Sequence, residues 1–207
     1  MASLPIVSSG TESPAPPRRR AAEKIRDAAR DLFYSHGIRA VGVDEIVQNA
    51  GVTKPSLYRA FGSKDDLAAA YLCDYQEEFW RRFEMTADRH PDNVRAQVLD
   101  YFSGLADRAS RAEYRGCGLT NAVVEYPDRA HPVRQVAGSL KEEVRQRLTV
   151  MSQAMNARDP ALLADGLLLL MEGTYIAAQI FGPGGPAGNV AILARQVIDA
   201  NCPPDQD

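Results

Sequence analysis

The stretch that decides the fold is residues 51–72, GVTKPSLYRAFGSKDDLAAAYL. Gly51 and Gly62 bracket a short segment that begins with Thr53, a good helix N-cap, and carries Pro55. A proline is tolerated in a first helical turn because its missing N–H would have no intrahelical partner there. Leu57 and Phe61 lie four apart and share one face. That turns Pro55, Ser56 and Arg59 outward, with Lys54 and Tyr58 on the flanks. Ser63 then caps a further helix, and Asp65 and Asp66 suit its positive N-terminal end.

Upstream, Ile25, Ala28, Ala29, Leu32 and Phe33 recur at helical spacing, which predicts an amphipathic helix over 21–36 stopped by Gly37. A second short helix is expected over 43–50, with Ile46, Val47 and Ala50 on one side and Gly51 ending it. Three short helices in under fifty residues, the last two joined through Gly51-Val52-Thr53, spell a helix-turn-helix. A third helix that starts with small residues and carries an arginine can enter a major groove and reach base edges.

Residues 51–72, together with the upstream DEIVQNAG and the Leu32-Phe33…His36-Gly37 ending of the first helix, resemble the signature of the TetR family of bacterial transcription regulators. The resemblance covers about residues 20–72. It implies that Thr53 caps the recognition helix and touches phosphate, and that Lys54, Pro55 and Ser56 face the groove. Tyr58 would place its hydroxyl on a phosphate, Arg59 would contact base or backbone, and Lys64 would grip a phosphate beside the fourth helix. Arg19 and Arg20, in the triplet Arg18-Arg19-Arg20, would form an arm along the minor groove or backbone; the other reading of that triplet is a solvated charge run. One departure concerns the start of the second helix. The family usually has a hydroxyl residue there, but this chain has Val41 and Gly42, so one phosphate contact is expected to be missing.

Charge follows the same division. The whole chain carries a net −3, yet residues 18–64 hold ten basic and five acidic side chains, leaving +5 there and −8 elsewhere. A basic N-terminal quarter on an acidic body is the polarity expected when only one end meets phosphates. The organisation read from the sequence is a disordered Pro- and Ser-containing leader over 1–17, a DNA-binding domain over 18–64, a sensing and dimerising domain over 65–201, and a tail over 202–207.

No alternating strand pattern interrupts the body, so the fold class is all-α with about nine helices. Leu67, Tyr71, Tyr75, Phe79 and Phe83 give the fourth helix an aromatic-rich stripe, and further helices are expected over 92–109, 118–126, 131–156, 160–181 and 189–200. The run 162–181 approaches membrane-spanning length, but Asp165 and Glu172 interrupt it. Each would cost about 2.5–3.5 kcal/mol at a bilayer centre, so a buried helix is expected and no membrane partner. Cys73, Cys117 and Cys202 form no disulfide framework or paired ligand spacing, which fits a reducing, cytoplasmic location.

In the family the last two helices pair with their copies in a homodimer, which reads a palindromic operator. Leu167, Leu170, Gly173, Ala177, Val190, Leu193 and Val197 are the candidate interface residues here. A mostly apolar effector pocket is expected among Trp80, Phe83, Tyr101, Phe102, Leu105, Cys117, Asn121, Glu125, Met151, Met155 and Tyr175, suiting an aromatic or lipophilic small molecule. The plain alternative for these aromatic residues is ordinary core. Cys117, between two glycines and after Arg115, is either a sensing thiol or an inert buried one. Two rival classes remain at this point. An architectural DNA-binding protein would be basic throughout; an enzyme would need a catalytic set, and the scattered His36, His90 and His131 supply none. No cofactor or metal is expected.

Overall fold

The computed structural model describes residues 20–203, and among these the only regular secondary structure is helical. Helices α1 (Ala21–His36), α2 (Val43–Ala50) and α3 (Lys54–Phe61) fall where the glycine and cap signals put them. They are followed by α4 (Lys64–Arg89), α5 (Val94–Ala109), α6 (Gly118–Glu125), α7 (Pro132–Ala154), α8 (Pro160–Phe181) and α9 (Val190–Asn201), with a 3-10 turn over Pro186–Asn189. The expected leader over 1–17 and residues 204–207 of the expected tail lie outside the described residues, as do Arg18 and Arg19.

Local chemistry explains the boundaries. The Ser63 side chain accepts from the Asp66 N–H at the start of α4, and Asp159 does the same for Leu162 at the start of α8. α5 begins later than periodicity suggests because Asn93, preceded by Pro91, takes the cap position and accepts from the Ala96 N–H. α7 stops at Ala154 because Asn156 adopts a positive φ of 55°, which a right-handed helix cannot continue through. Met155 is therefore not the last residue of the helix, although it is buried.

One apolar core runs through both halves. Ile25, Leu32 and Phe33 of α1 meet Ile46 of α2, Leu57 of α3 and Leu67 of α4, so the three short helices and the root of α4 form one packed unit. α4 then carries Tyr71, Phe79 and Phe83 into the body, against Tyr101, Phe102 and Leu105 of α5. α8 lies against α7 and α9, and its two charged residues are both paired with α7: Asp165 with Arg145, Glu172 with Lys141. α8 is long and apolar enough to cross a membrane by length and composition. Those ion pairs and its buried face account for it as a packed helix with one face uncovered: Leu162, Leu169, Ile176, Ile180 and Phe181 are exposed. Cys202, expected in the tail, is buried in the core beyond the end of α9.

Candidate DNA-reading face and effector cavity

α3 is amphipathic in the sense that matters for groove entry. Leu57 is fully buried, while Lys54, Pro55, Tyr58 and Arg59 are exposed. Thr53 occupies the N-cap position, but its hydroxyl lies 3.0 Å from the Ser56 hydroxyl rather than on a backbone N–H. In the first turn of α3, Pro55 has no N–H and the Ser56 N–H donates to the Thr53 carbonyl at 3.0 Å. Lys54 pairs with Asp44 of α2 at 2.7 Å. Lys64 donates to the Arg39 carbonyl at 3.4 Å, and partial burial holds its pKa below the ordinary lysine value. Arg59 makes no ion pair among the described residues and stands free at the outer face of α3. Arg20 sits exposed at the N-cap of α1, where its own N–H is taken by Glu23 at 3.3 Å.

A clasp joins this unit to the body. The Glu125 carboxylate, at the end of α6, accepts the Arg39 N–H at 2.8 Å, and the Arg39 guanidinium donates to the Glu125 carbonyl at 3.1 Å. Gly37 makes the clasp possible: its φ is +90°, and a Cβ there would meet the Glu125 carboxylate at 3.0 Å. Beside it, His131 at the start of α7 places Nε2 3.5 Å from the Asp65 carboxylate of α4.

Between α1 and the body lies a cavity of about 800 Å³. Its walls come from α1 (Arg30, Tyr34), α4 (Tyr71, Tyr75, Phe79, Arg82), α5 (Tyr101, Leu105, Arg108), Tyr114 of the α5–α6 loop, and Tyr175 of α8. Six of the eight tyrosines in the chain line it. The loop is tied over the cavity by hydrogen bonds: Arg115 N–H to the Tyr34 hydroxyl at 3.1 Å, and the Tyr34 and Tyr75 hydroxyls to the Gly116 carbonyl at 3.3 and 3.5 Å. Gly118 lets Tyr71 and Tyr75 approach, since a Cβ there would lie 2.6 Å from the Tyr71 hydroxyl. Burial raises the phenols of this cluster above their ordinary value, Tyr101 to about 12, so at neutral pH every one is a neutral hydrogen-bonding group.

Residues 25–71 match the sequence profile of the bacterial regulatory proteins of the tetR family. The chain is 27% identical over 166 residues to the HTH-type transcriptional repressor ComR of Escherichia coli K12, covering 74% of this chain and 79% of that one. It is 45% identical over 62 residues to the repressor BdcR of the same organism, covering 30% and 32%. The crystal structure of SCO4454, a TetR-family regulator from Streptomyces coelicolor, superposes with a TM-score of 0.77 at 28% identity, covering 87% of this chain and 93% of that one. Residues 25–71 carry the tetR-family DNA-binding domain, and the chain has the fold of TetR-family regulators. It is a DNA-binding transcription regulator and not an enzyme.

The cavity draws only partly on the residues expected for it. Tyr101, Leu105 and Tyr175 line it. Phe83 stands behind the wall, stacked on Tyr101 at 3.9 Å, and Phe102 is fully buried in the core. Trp80 lies outside the lining, with the Arg147 guanidinium 4.5 Å from its ring. Met151 and Met155 pack in the core. Asn121 braces the loop by donating to the Arg115 carbonyl at 2.7 Å, and Glu125 belongs to the clasp. Cys117 is buried at the N-cap of α6, off the lining. Sequence reasoning missed Tyr34, Tyr71, Tyr75, Tyr114, Arg82 and Arg108. Tyr71 and Tyr75 were visible as a stripe on α4, but nothing in sequence placed α1 beside α5.

The expected interface residues also divide. Leu167 and Val190 are buried inside the protomer and offer no surface. Gly173 and Leu193 are exposed, and Leu170, Ala177 and Val197 are half-buried. The exposed apolar residues of α8 are Leu162, Leu169, Ile176 and Ile180, on a face rotated by part of a turn from Leu170, Gly173 and Ala177.

Proposed function

We propose that this chain is a homodimeric repressor that reads a palindromic operator through α3, and that a small-molecule effector filling the tyrosine-walled cavity releases it. The observation that carries this reading is the cavity's position. Its walls include Arg30 and Tyr34 of α1, so a ligand there touches the DNA-binding unit and the body together. On DNA, Thr53, Lys54, Pro55, Ser56, Tyr58 and Arg59 meet the groove, and Arg20 and Lys64 meet the flanking backbone; Arg19 lies outside the described residues. The apolar seam of α8 and α9 supports pairing of two copies, whose recognition helices would then read half-sites about 34–36 Å apart.

Selection of bound fragments from random-sequence DNA tests the reading, with wild type and Arg59→Ala compared at two salt concentrations. A palindromic consensus for wild type, relaxed at one position in each half-site by Arg59→Ala, is the expected result. Tight binding without any shared sequence would refute operator reading and favour an architectural role.

A further inference from the structure

The cavity's lining says more about what enters it than the presence of a cavity does. Its interior is aromatic and hydroxylated: Tyr34 and Tyr75 spend their hydroxyls on Gly116, while the Tyr71 and Tyr114 hydroxyls make no hydrogen bond among the described residues. Its charged groups number five arginines and five carboxylates, so the count alone favours neither sign. Their placement does. Asp74 is held by Arg26 of α1 on both carboxylate oxygens. Glu78 is held by Arg81 at 2.7 Å and reached by Arg82 at 3.4 Å. Asp31 is exposed and paired with Arg30, and Glu77 and Glu113 are exposed to water.

The cations are arranged differently. Arg108, half-buried, lies back along α5 past Gly104, with its guanidinium 5.5 Å from the Tyr101 ring centroid, and it pairs with no carboxylate among the described residues. Arg82 is 28% exposed. The charged side chains that oppose the burial-driven rise of the cavity phenols are all arginines: Arg82 and Arg115 at Tyr34, Arg108 and Arg82 at Tyr101, Arg108 at Tyr114. Arg108, a half-desolvated guanidinium without an ion pair, is a costly arrangement that an incoming anion relieves, and Arg82, which shares Glu78 with Arg81, can add a second donor. Tyrosine rings also attract cations, but a cation here would meet Arg82 and Arg108.

Resting on the reading of this cavity as the effector site, we infer that the effector is a flat aromatic or conjugated molecule bearing an anionic group, its ring system among the tyrosines and its anion on Arg108 and Arg82. A cavity of about 800 Å³ is in the range that holds a drug-sized ligand.

The test uses full-length protein and two fluorescent probes with one skeleton: anionic 8-anilinonaphthalene-1-sulfonate and neutral N-phenyl-1-naphthylamine. The anionic probe is expected to bind about tenfold tighter or more, the worth of a charge-assisted bond. Arg108→Gln, on a half-exposed side chain, should remove most of that margin and leave the neutral probe's affinity unchanged; Arg82→Gln should act in the same direction. Ser35→Trp, which fills the cavity mouth from an exposed position on α1, should weaken both probes. Equal affinities in wild type, or a margin that survives both arginine variants, would overturn the anion while Ser35→Trp still weakens both probes and upholds the cavity. Probes that ignore Ser35→Trp, or neither probe binding, would overturn the cavity reading and the inference with it.

Discussion

Leu169→Glu should convert the protein to monomers. Leu169 is 71% exposed in the protomer, at the middle of the run Leu162, Leu169, Ile176, Ile180 along α8. Those side chains are spaced seven and four apart, so they form one seam, and in a twofold interface each is buried twice. Fully burying a leucine is worth about 1.5–3 kcal/mol, so the exposed share of Leu169 contributes about 1.5 kcal/mol per copy, or about 3 per dimer. Replacing it by glutamate removes that gain and brings two carboxylates together in an apolar seam, where desolvation and like charge add at least about 2 kcal/mol more. A total near 5 kcal/mol weakens association by more than about a thousandfold. Sedimentation velocity at low-micromolar protein measures this directly. Val124→Glu, equally exposed on α6 but off the seam, is the control and should stay dimeric. Dimers in the Leu169→Glu variant, or monomers in the control, would refute the assignment of the interface.

The remaining predictions concern the clasp, the cavity and the DNA face. Glu125→Ala removes the acceptor of the Arg39 N–H and should lower unfolding free energy by about 1–2 kcal/mol in urea titrations, with Glu125→Gln costing less because it keeps an acceptor. The phenol of Tyr101 should ionise near pH 12, read by ultraviolet difference absorbance; because burial raises it in the folded state only, stability should fall as pH climbs from about 10 through about 12. An ordinary titration near 10 for every tyrosine would contradict the burial of the cluster. Lys64→Ala should weaken operator binding uniformly across sequences and flatten its salt slope by about 0.9, as one lost phosphate contact does. Tyr58→Phe should weaken binding without changing sequence preference, and unaltered affinity in both variants would remove them from the interface.

What the sequence made legible was set by period and punctuation. Gly37, Gly51 and Gly62 end α1, α2 and α3 where glycine chemistry says they must, and Leu57 is buried because its spacing to Phe61 says so. The aromatic stripe of α4 was equally readable, since Leu67, Tyr71, Phe79 and Phe83 are buried. The cavity was not readable, because a cavity is the gap between helices and depends on crossing angles and side-chain directions that spacing does not encode. Trp80 and Phe83 are as large and apolar as Tyr75 and Phe79, yet only the latter pair line it: Trp80 is turned off the stripe, and Phe83, one turn farther along the same stripe, stands behind Tyr101. That Leu167 and Val190 are buried inside the protomer was unreadable for a related reason. An all-apolar helix such as α8 has no polar face to say which side looks inward, and the ion pairs of Asp165 and Glu172 with α7 settle it only in three dimensions.

Those same contacts constrain how an effector could act on DNA binding. A ligand shifts an equilibrium only by its differential affinity for two states, so the cavity must differ in shape between the DNA-bound and released forms. Three of its walls, on α4, α5 and α8, belong to a body packed around Phe102 and Leu105, whose fixed density resists small displacements. The fourth wall is α1, which packs Phe33 edge-on against Tyr71 at the root of α4 and is otherwise held to the body by Arg26 on Asp74, by the Tyr34 bonds to Arg115 and Gly116, and by the Glu125 clasp. The polar contacts lie at a partly wetted boundary, each replaceable by water at small net cost. α1 also packs on α2 and α3 through Ile25, Leu32 and Phe33, so it moves with the recognition helix or not at all. On the proposed mechanism the compliant wall is therefore α1, the effector gains its differential affinity by wedging Tyr34 away from Tyr75, and the reorientation of α3 follows because the three short helices share one core.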